Sequence, residues 1–84
     1  MKTLIEKNNN IYTYAEFVQL IKSEGETSEN LQLLGEWFEK IGYTFWTGEC
    51  YDTEKDFDGR NLYPIYEQDA DYPDQFNVIG YELR

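Results

Sequence analysis

The spacing of apolar residues changes once along this chain, at Gly42, and that change sets the class of fold. Upstream, apolar positions recur every three to four residues, as on a helix with one buried face. Downstream they crowd into β-branched and aromatic runs typical of strands. "TYAEFVQLIKSEG" (13–25) predicts a first helix. Thr13 followed by Glu16 matches a capping box, in which hydroxyl and carboxylate each satisfy a free backbone N–H. Tyr14, Phe17, Val18 and Ile21 form its apolar face, widened by Leu20. "TSENLQLLGEWFEKIG" (27–42) predicts a second helix, capped by Thr27 or Ser28, with Leu31, Leu34, Phe38 and Ile41 as its stripe and Leu33 and Trp37 beside it. Gly42 suits the position after its last turn. Gly35, inside the helix, costs about 1 kcal/mol relative to alanine and points to a close approach of the two helices.

Three strands are expected next: "YTFWTGECY" (43–51), "NLYPIYEQ" (61–68) and "FNVIGYELR" (76–84). Pro64 places the second at an edge or a bulge. Leu4 and Ile5 read as a short extra strand or a flap, and "NNN" as a break before the first helix. The order α-α-β-β-β predicts an α+β domain spanning 1–84, with two N-terminal helices packed on one face of a three-stranded antiparallel sheet. A meander is the simplest topology; placing the third strand beside the first is the other.

Alternation leaves neither sheet face polar. Leu62, Pro64 and Tyr66 oppose Tyr63 and Ile65, while Ile79, Tyr81 and Leu83 oppose Phe76, Val78 and Gly80. Two helices cover one face. The other must be covered by loops (Phe57, Tyr72 and Pro73 are available), by a second copy, or by a partner. Aromatic residues make up 18% of the chain, more than a small core can hide. Tyr43, Trp46, Tyr63 and Tyr66 are the candidate contact residues, since Tyr and Trp give large contact area at low entropic cost.

Charge narrows the partners. Seventeen acids against seven bases give a net charge of −10, of which −7 falls on 43–84. Direct binding of nucleic acid or of an anionic membrane is disfavoured, and a basic protein partner is favoured. There is no histidine and one cysteine, Cys50, which removes intramolecular disulfides and Cys/His zinc sites. "MKTLIEKNNN" lacks an apolar run long enough for a signal peptide; with the lone cysteine this predicts a soluble cytoplasmic protein.

The most pointed motif is "YDTEKDFDGRN" (51–61), with Asp52, Glu54, Asp56 and Asp58 at every second position. A calcium EF-hand loop beginning at Glu54 would need an oxygen ligand where Ile65 stands, and one beginning at Asp52 would put Phe57 at the required glycine. Catalysis has no histidine to move a proton, and Cys50 has none to activate it, so neither enzyme activity nor a metal or other cofactor is expected. Carboxylates at i and i+2 of an extended segment lie about 6.6–6.8 Å apart, close to the spacing of phosphates along a strand. Glu67, Asp69 and Asp71 repeat that pattern. In its size, acidity, tyrosine content and lack of histidine the chain resembles nucleic-acid-mimicking inhibitors of restriction and CRISPR systems, a resemblance of composition and not of sequence. In a meander, however, the two acidic loops leave opposite ends of the sheet. The sequence therefore predicts a small non-catalytic protein-binding module, with a nucleic-acid mimic and a structural homodimer as the alternatives.

Overall fold

The first element is a hairpin. A computed structural model of the chain describes residues 4–42 and 50–84. In it β1 (Ile5–Lys7) pairs antiparallel with β2 (Asn10–Tyr12) across a two-residue turn. Asn8 and Asn9 both take positive φ, 52° and 67°, as tight hairpin turns require and asparagine tolerates. "NNN" is thus the turn of a hairpin as well as a break. Strand β1 alternates, with Ile5 and Lys7 inward and Glu6 in solvent.

Helix α1 (Tyr14–Glu24) starts from the expected capping box: the Glu16 N–H donates to Thr13 Oγ1 at 3.2 Å, and the Thr13 N–H donates to Glu16 Oε1 at 2.8 Å. Phe17, Val18 and Ile21 are its buried residues. Helix α2 (Ser28–Lys40) is capped by Thr27, whose hydroxyl accepts the Asn30 N–H at 3.1 Å. It buries Leu31, Leu34 and Phe38 and ends at Ile41 with Gly42 at φ 99°, a value that side chains resist.

Strands β3 (Leu62–Gln68) and β4 (Phe76–Leu83) form a second antiparallel pair. The order of elements is therefore β-β-α-α-β-β, with two separate two-stranded sheets. This corrects the expectation of one three-stranded sheet. Residues 43–49 of the expected first strand lie outside the described residues. Its last residue, Tyr51, makes a single antiparallel bridge to Leu62. The extra sheet comes from three-residue strands, too short for a periodic signal.

The core is one cluster drawn from every part of the described chain: Ile5, Phe17, Val18, Ile21, Leu31, Leu34 and Phe38 meet Tyr51, Phe57, Leu62 and Tyr81. Phe38 stacks on Tyr51 at 4.6 Å. Gly35 does provide a close approach, but to strand β4 and not to α1: a Cβ there would sit closer than 3.0 Å to the ring of Tyr81. That ring lies against the helix and its hydroxyl donates to Glu39 Oε1 at 3.0 Å. Beside the core, Lys7 and Asn30 are buried. Lys7 donates to Glu24 Oε1 at 2.8 Å and to Asn30 Oδ1, while Asn30 donates to the Gly25 carbonyl at 3.2 Å. This polar knot ties β1 to the turn between the helices.

Candidate protein-interaction surface

The β3–β4 ribbon has one covered face and one open one, and its register says which is which. Leu62 and Pro64 pair with Leu83 and Tyr81. Leu62, Pro64 and Tyr81 are buried, so helix α2 covers this face. Tyr63 and Ile65, opposite Glu82 and Gly80, point the other way. Between Ile65 and Tyr66 the register slips: Ile65 faces Gly80 but Tyr66 faces Val78, leaving Ile79 as an extra residue. A bulge of this kind reverses the alternation beyond it. Val78 and Phe76 therefore share a face with Tyr81 and Leu83, not the opposite face that plain alternation predicts. Val78 packs against the core as that face requires.

The helices do not reach the distal end. Phe76 is 45% exposed and meets Tyr66 edge-on at 5.4 Å. On the open face Ile65 is exposed and Ile79 is 58% exposed. Tyr72 in the 69–75 loop is exposed as well, so it does not serve as a cover. Leu62–Leu83 carries five carboxylates (Glu67, Asp69, Asp71, Asp74 and Glu82) and no Lys or Arg, and the next residue, Arg84, pairs with Glu82 at 3.0 Å. Exposed apolar groups here therefore sit beside an acidic rim.

Of the sequence-selected aromatics, Tyr43 and Trp46 lie outside the described residues. Tyr63 and Tyr66 occupy opposite faces of the ribbon and do not form one patch. Tyr63 lies on the open face with the Arg84 guanidinium 4.2 Å from its ring centre. A hydrogen bond with the Cys50 thiol raises the pKa of its hydroxyl above the ordinary tyrosine value. Ile79, Ile65 and Phe76 were not singled out from the sequence; the bulge that exposes Ile79 needs the partner strand's register to be seen.

The 52–61 connection is coiled and not extended. The N–H groups of Asp56 and Phe57 both bond the Thr53 carbonyl at 3.0 Å, and the Gly59 N–H bonds the Glu54 carbonyl at 2.8 Å. Asp58 and Gly59 both take positive φ. The Thr53 N–H donates to Asn61 Oδ1 at 3.1 Å, closing the base of the loop. Phe57 is buried in the core, so it does not cover the open sheet face. Asp52, Glu54, Asp56 and Asp58 consequently do not form the extended row that imitates a phosphate backbone. Asp56 is structural: its Oδ2 accepts the Tyr14 hydroxyl at 3.0 Å. Burial first, and then this carboxylate, raises the pKa of Tyr14.

The second acidic loop is also folded. Asp69 Oδ1 accepts the N–H of Asp71 at 2.8 Å and of Tyr72 at 3.1 Å, bonds that hold its carboxyl below the usual range. The loops extend from opposite ends of the ribbon, so their charges form two patches. An open groove of about 460 Å³ lies between the end of α1 and the first loop, with Phe57 in its lining and the Arg60–Glu26 ion pair across it (2.8 Å at Nη1). That pairing leaves the guanidinium already engaged, and the carboxyl of Glu26 is lowered by it. Among the described residues no three carboxylate or thiol groups gather to hold a metal ion, and no helix is long and apolar enough to cross a membrane. Comparison with protein-family models, curated proteins and solved structures finds no match to this chain.

Proposed function

We propose that this chain is a small acidic, non-catalytic protein-binding module that recognises a basic protein in the cytoplasm through its β3–β4 ribbon. The observation that carries this reading is exposed Ile65 and Ile79 on the open face of the ribbon, and exposed Phe76 at the distal end of the other face, with five carboxylates against one base, Arg84. Apolar side chains supply affinity once desolvated at the centre of a contact, while the carboxylates speed encounter with a cationic surface and reject acidic ones. Because the carboxylates are solvated, their contribution is screened by salt.

The test is affinity capture by the wild type and by Phe76→Ser/Ile79→Ser at about 50 mM and about 500 mM salt. Both residues are exposed, so the variant keeps its fold, and circular dichroism checks that. A basic protein held by the wild type at low salt, released at high salt and lost by the variant supports the reading. Equal capture by wild type and variant, or no capture by either, contradicts it.

A further inference from the structure

Strand β4 pairs with β3 alone, and its other edge is open among the described residues. The ladder shows which backbone groups that edge presents. Asn61 and Arg84 exchange both N–H···O bonds, each at 2.9 Å. Hydrogen-bonded and non-hydrogen-bonded pairs alternate in an antiparallel ladder. Leu62↔Leu83 and Pro64↔Tyr81 are therefore non-hydrogen-bonded pairs, whose remaining N–H and C=O groups point away from the ladder.

At the proximal end of the β3 side most of these outward groups are already dealt with. Leu62 spends both on Tyr51, at 2.8 and 3.1 Å, and Pro64 has no N–H to offer. At the far end the Asp69 N–H donates to the Gln75 carbonyl at 2.9 Å, which makes Glu67↔Asn77 the next hydrogen-bonded pair. Phe76 and Val78 then point their N–H and C=O outward from β4. No proline or lysine stands in Phe76–Leu83 to blunt this edge. Tyr81 lies under α2 and Val78 still reaches the core, whereas Phe76 and Ile79 are exposed.

On the reading of the chain as a protein-binding module, we propose that this distal half of β4 accepts an extended, Lys/Arg-bearing segment of the partner as an added strand. Main-chain bonds to Phe76 and Val78 hold the segment, and Glu67, Asp69, Asp71 and Asp74 at that end select for its charge. Charge decides against a second copy as the occupant. Phe76–Ile79 itself carries no charge, but a second ribbon alongside would bring a second set of five carboxylates, offset only by its Arg84, beside the first, and that net charge disfavours it.

The test uses two octapeptides, alternating Lys and Val, one unmodified and one N-methylated at every residue so that its charge is kept but neither edge can pair. Amide shifts and hydrogen exchange of the ¹⁵N-labelled chain are read at about 50 mM salt, with peptide up to about 1 mM. The expected result is slowed exchange at Phe76 and Val78 with the unmodified peptide, and binding at least about tenfold weaker with the methylated one. Val78→Pro, which deletes an outward N–H and no ladder bond, is expected to lose a similar factor. Equal binding of both peptides without amide protection overturns strand addition and leaves the protein-binding reading standing. Binding by neither peptide also overturns it, and the capture experiment then judges the broader reading separately. Doubled mass in sedimentation with those amides already protected overturns it in favour of a second copy.

Discussion

Replacing Gly35 with alanine separates local helix preference from tertiary packing, because the two predict opposite signs. In an isolated helix the change stabilises by about 1 kcal/mol. Here the new methyl would lie closer than 3.0 Å to the Tyr81 ring. The ring cannot simply turn aside, since it is 5% exposed, lies 6.3 Å from Tyr51, and is held by its bond to Glu39. Overpacking of this kind costs about 1–3 kcal/mol, and losing the Tyr81–Glu39 bond adds about 1 kcal/mol. Setting these against the helix gain leaves a net destabilisation of about 1–3 kcal/mol. At about 4–8 °C per kcal/mol for a domain of this size, Tm should fall by about 4–24 °C. Urea unfolding followed by circular dichroism measures it, with an unchanged slope showing that the unfolded state is the same. In a Tyr81→Ala background the same substitution should become stabilising. A neutral or stabilising Gly35→Ala in the wild type would refute the packing described for α2 and β4.

Thr13→Ala removes the α1 cap and should cost about 1 kcal/mol in the same assay. Tyr51→Phe should stabilise by about 1 kcal/mol, because the buried Tyr51 hydroxyl has no hydrogen-bond partner among the described residues. The acid limb of stability follows from lowered carboxyl pKa values: Glu24, held down by Lys7 and then Asn30, and Asp69, held down by the Asp71 N–H, then Asn77 and Tyr72. Folding lowers these values, so their contribution is present above about pH 5 and is lost as pH falls through the depressed folded values; Glu24→Gln should flatten that limb in unfolding measured from pH 7 to 3. At the alkaline end Tyr14 and Tyr81, both raised by burial first and then by their carboxylate acceptors, keep their protons in the fold where the unfolded chain releases them. Stability should therefore decline as pH rises past about 10, and less so in Tyr14→Phe.

Much of the helical half was legible because its signals are local. A capping box needs only Thr13 and Glu16, and a buried face needs only the spacing of Phe17, Val18 and Ile21. Pro64 likewise marked an edge position, since a missing N–H is tolerated only where no ladder bond is required. The rest depended on partners distant in sequence. Gly35 announced a close approach without saying to what. Nothing local distinguishes Lys7 from the solvated lysines; its burial depends on Glu24 and Asn30 converging from two helix ends. The extra Ile79 is defined only by β3's register, so the side-chain alternation was right up to Gly80 and inverted beyond it. The regular spacing of Asp52 to Asp58 read as a possible row of charges, but Phe57 draws the loop into the core and coils it.

Hydrogen–deuterium exchange of the chain with and without its captured basic partner tests the central claim most directly. The account predicts protection concentrated in the distal part of Leu62–Leu83, with 52–60 unchanged. Protection centred on 52–60, with the ribbon unchanged, would contradict it and make the first acidic loop the contact surface.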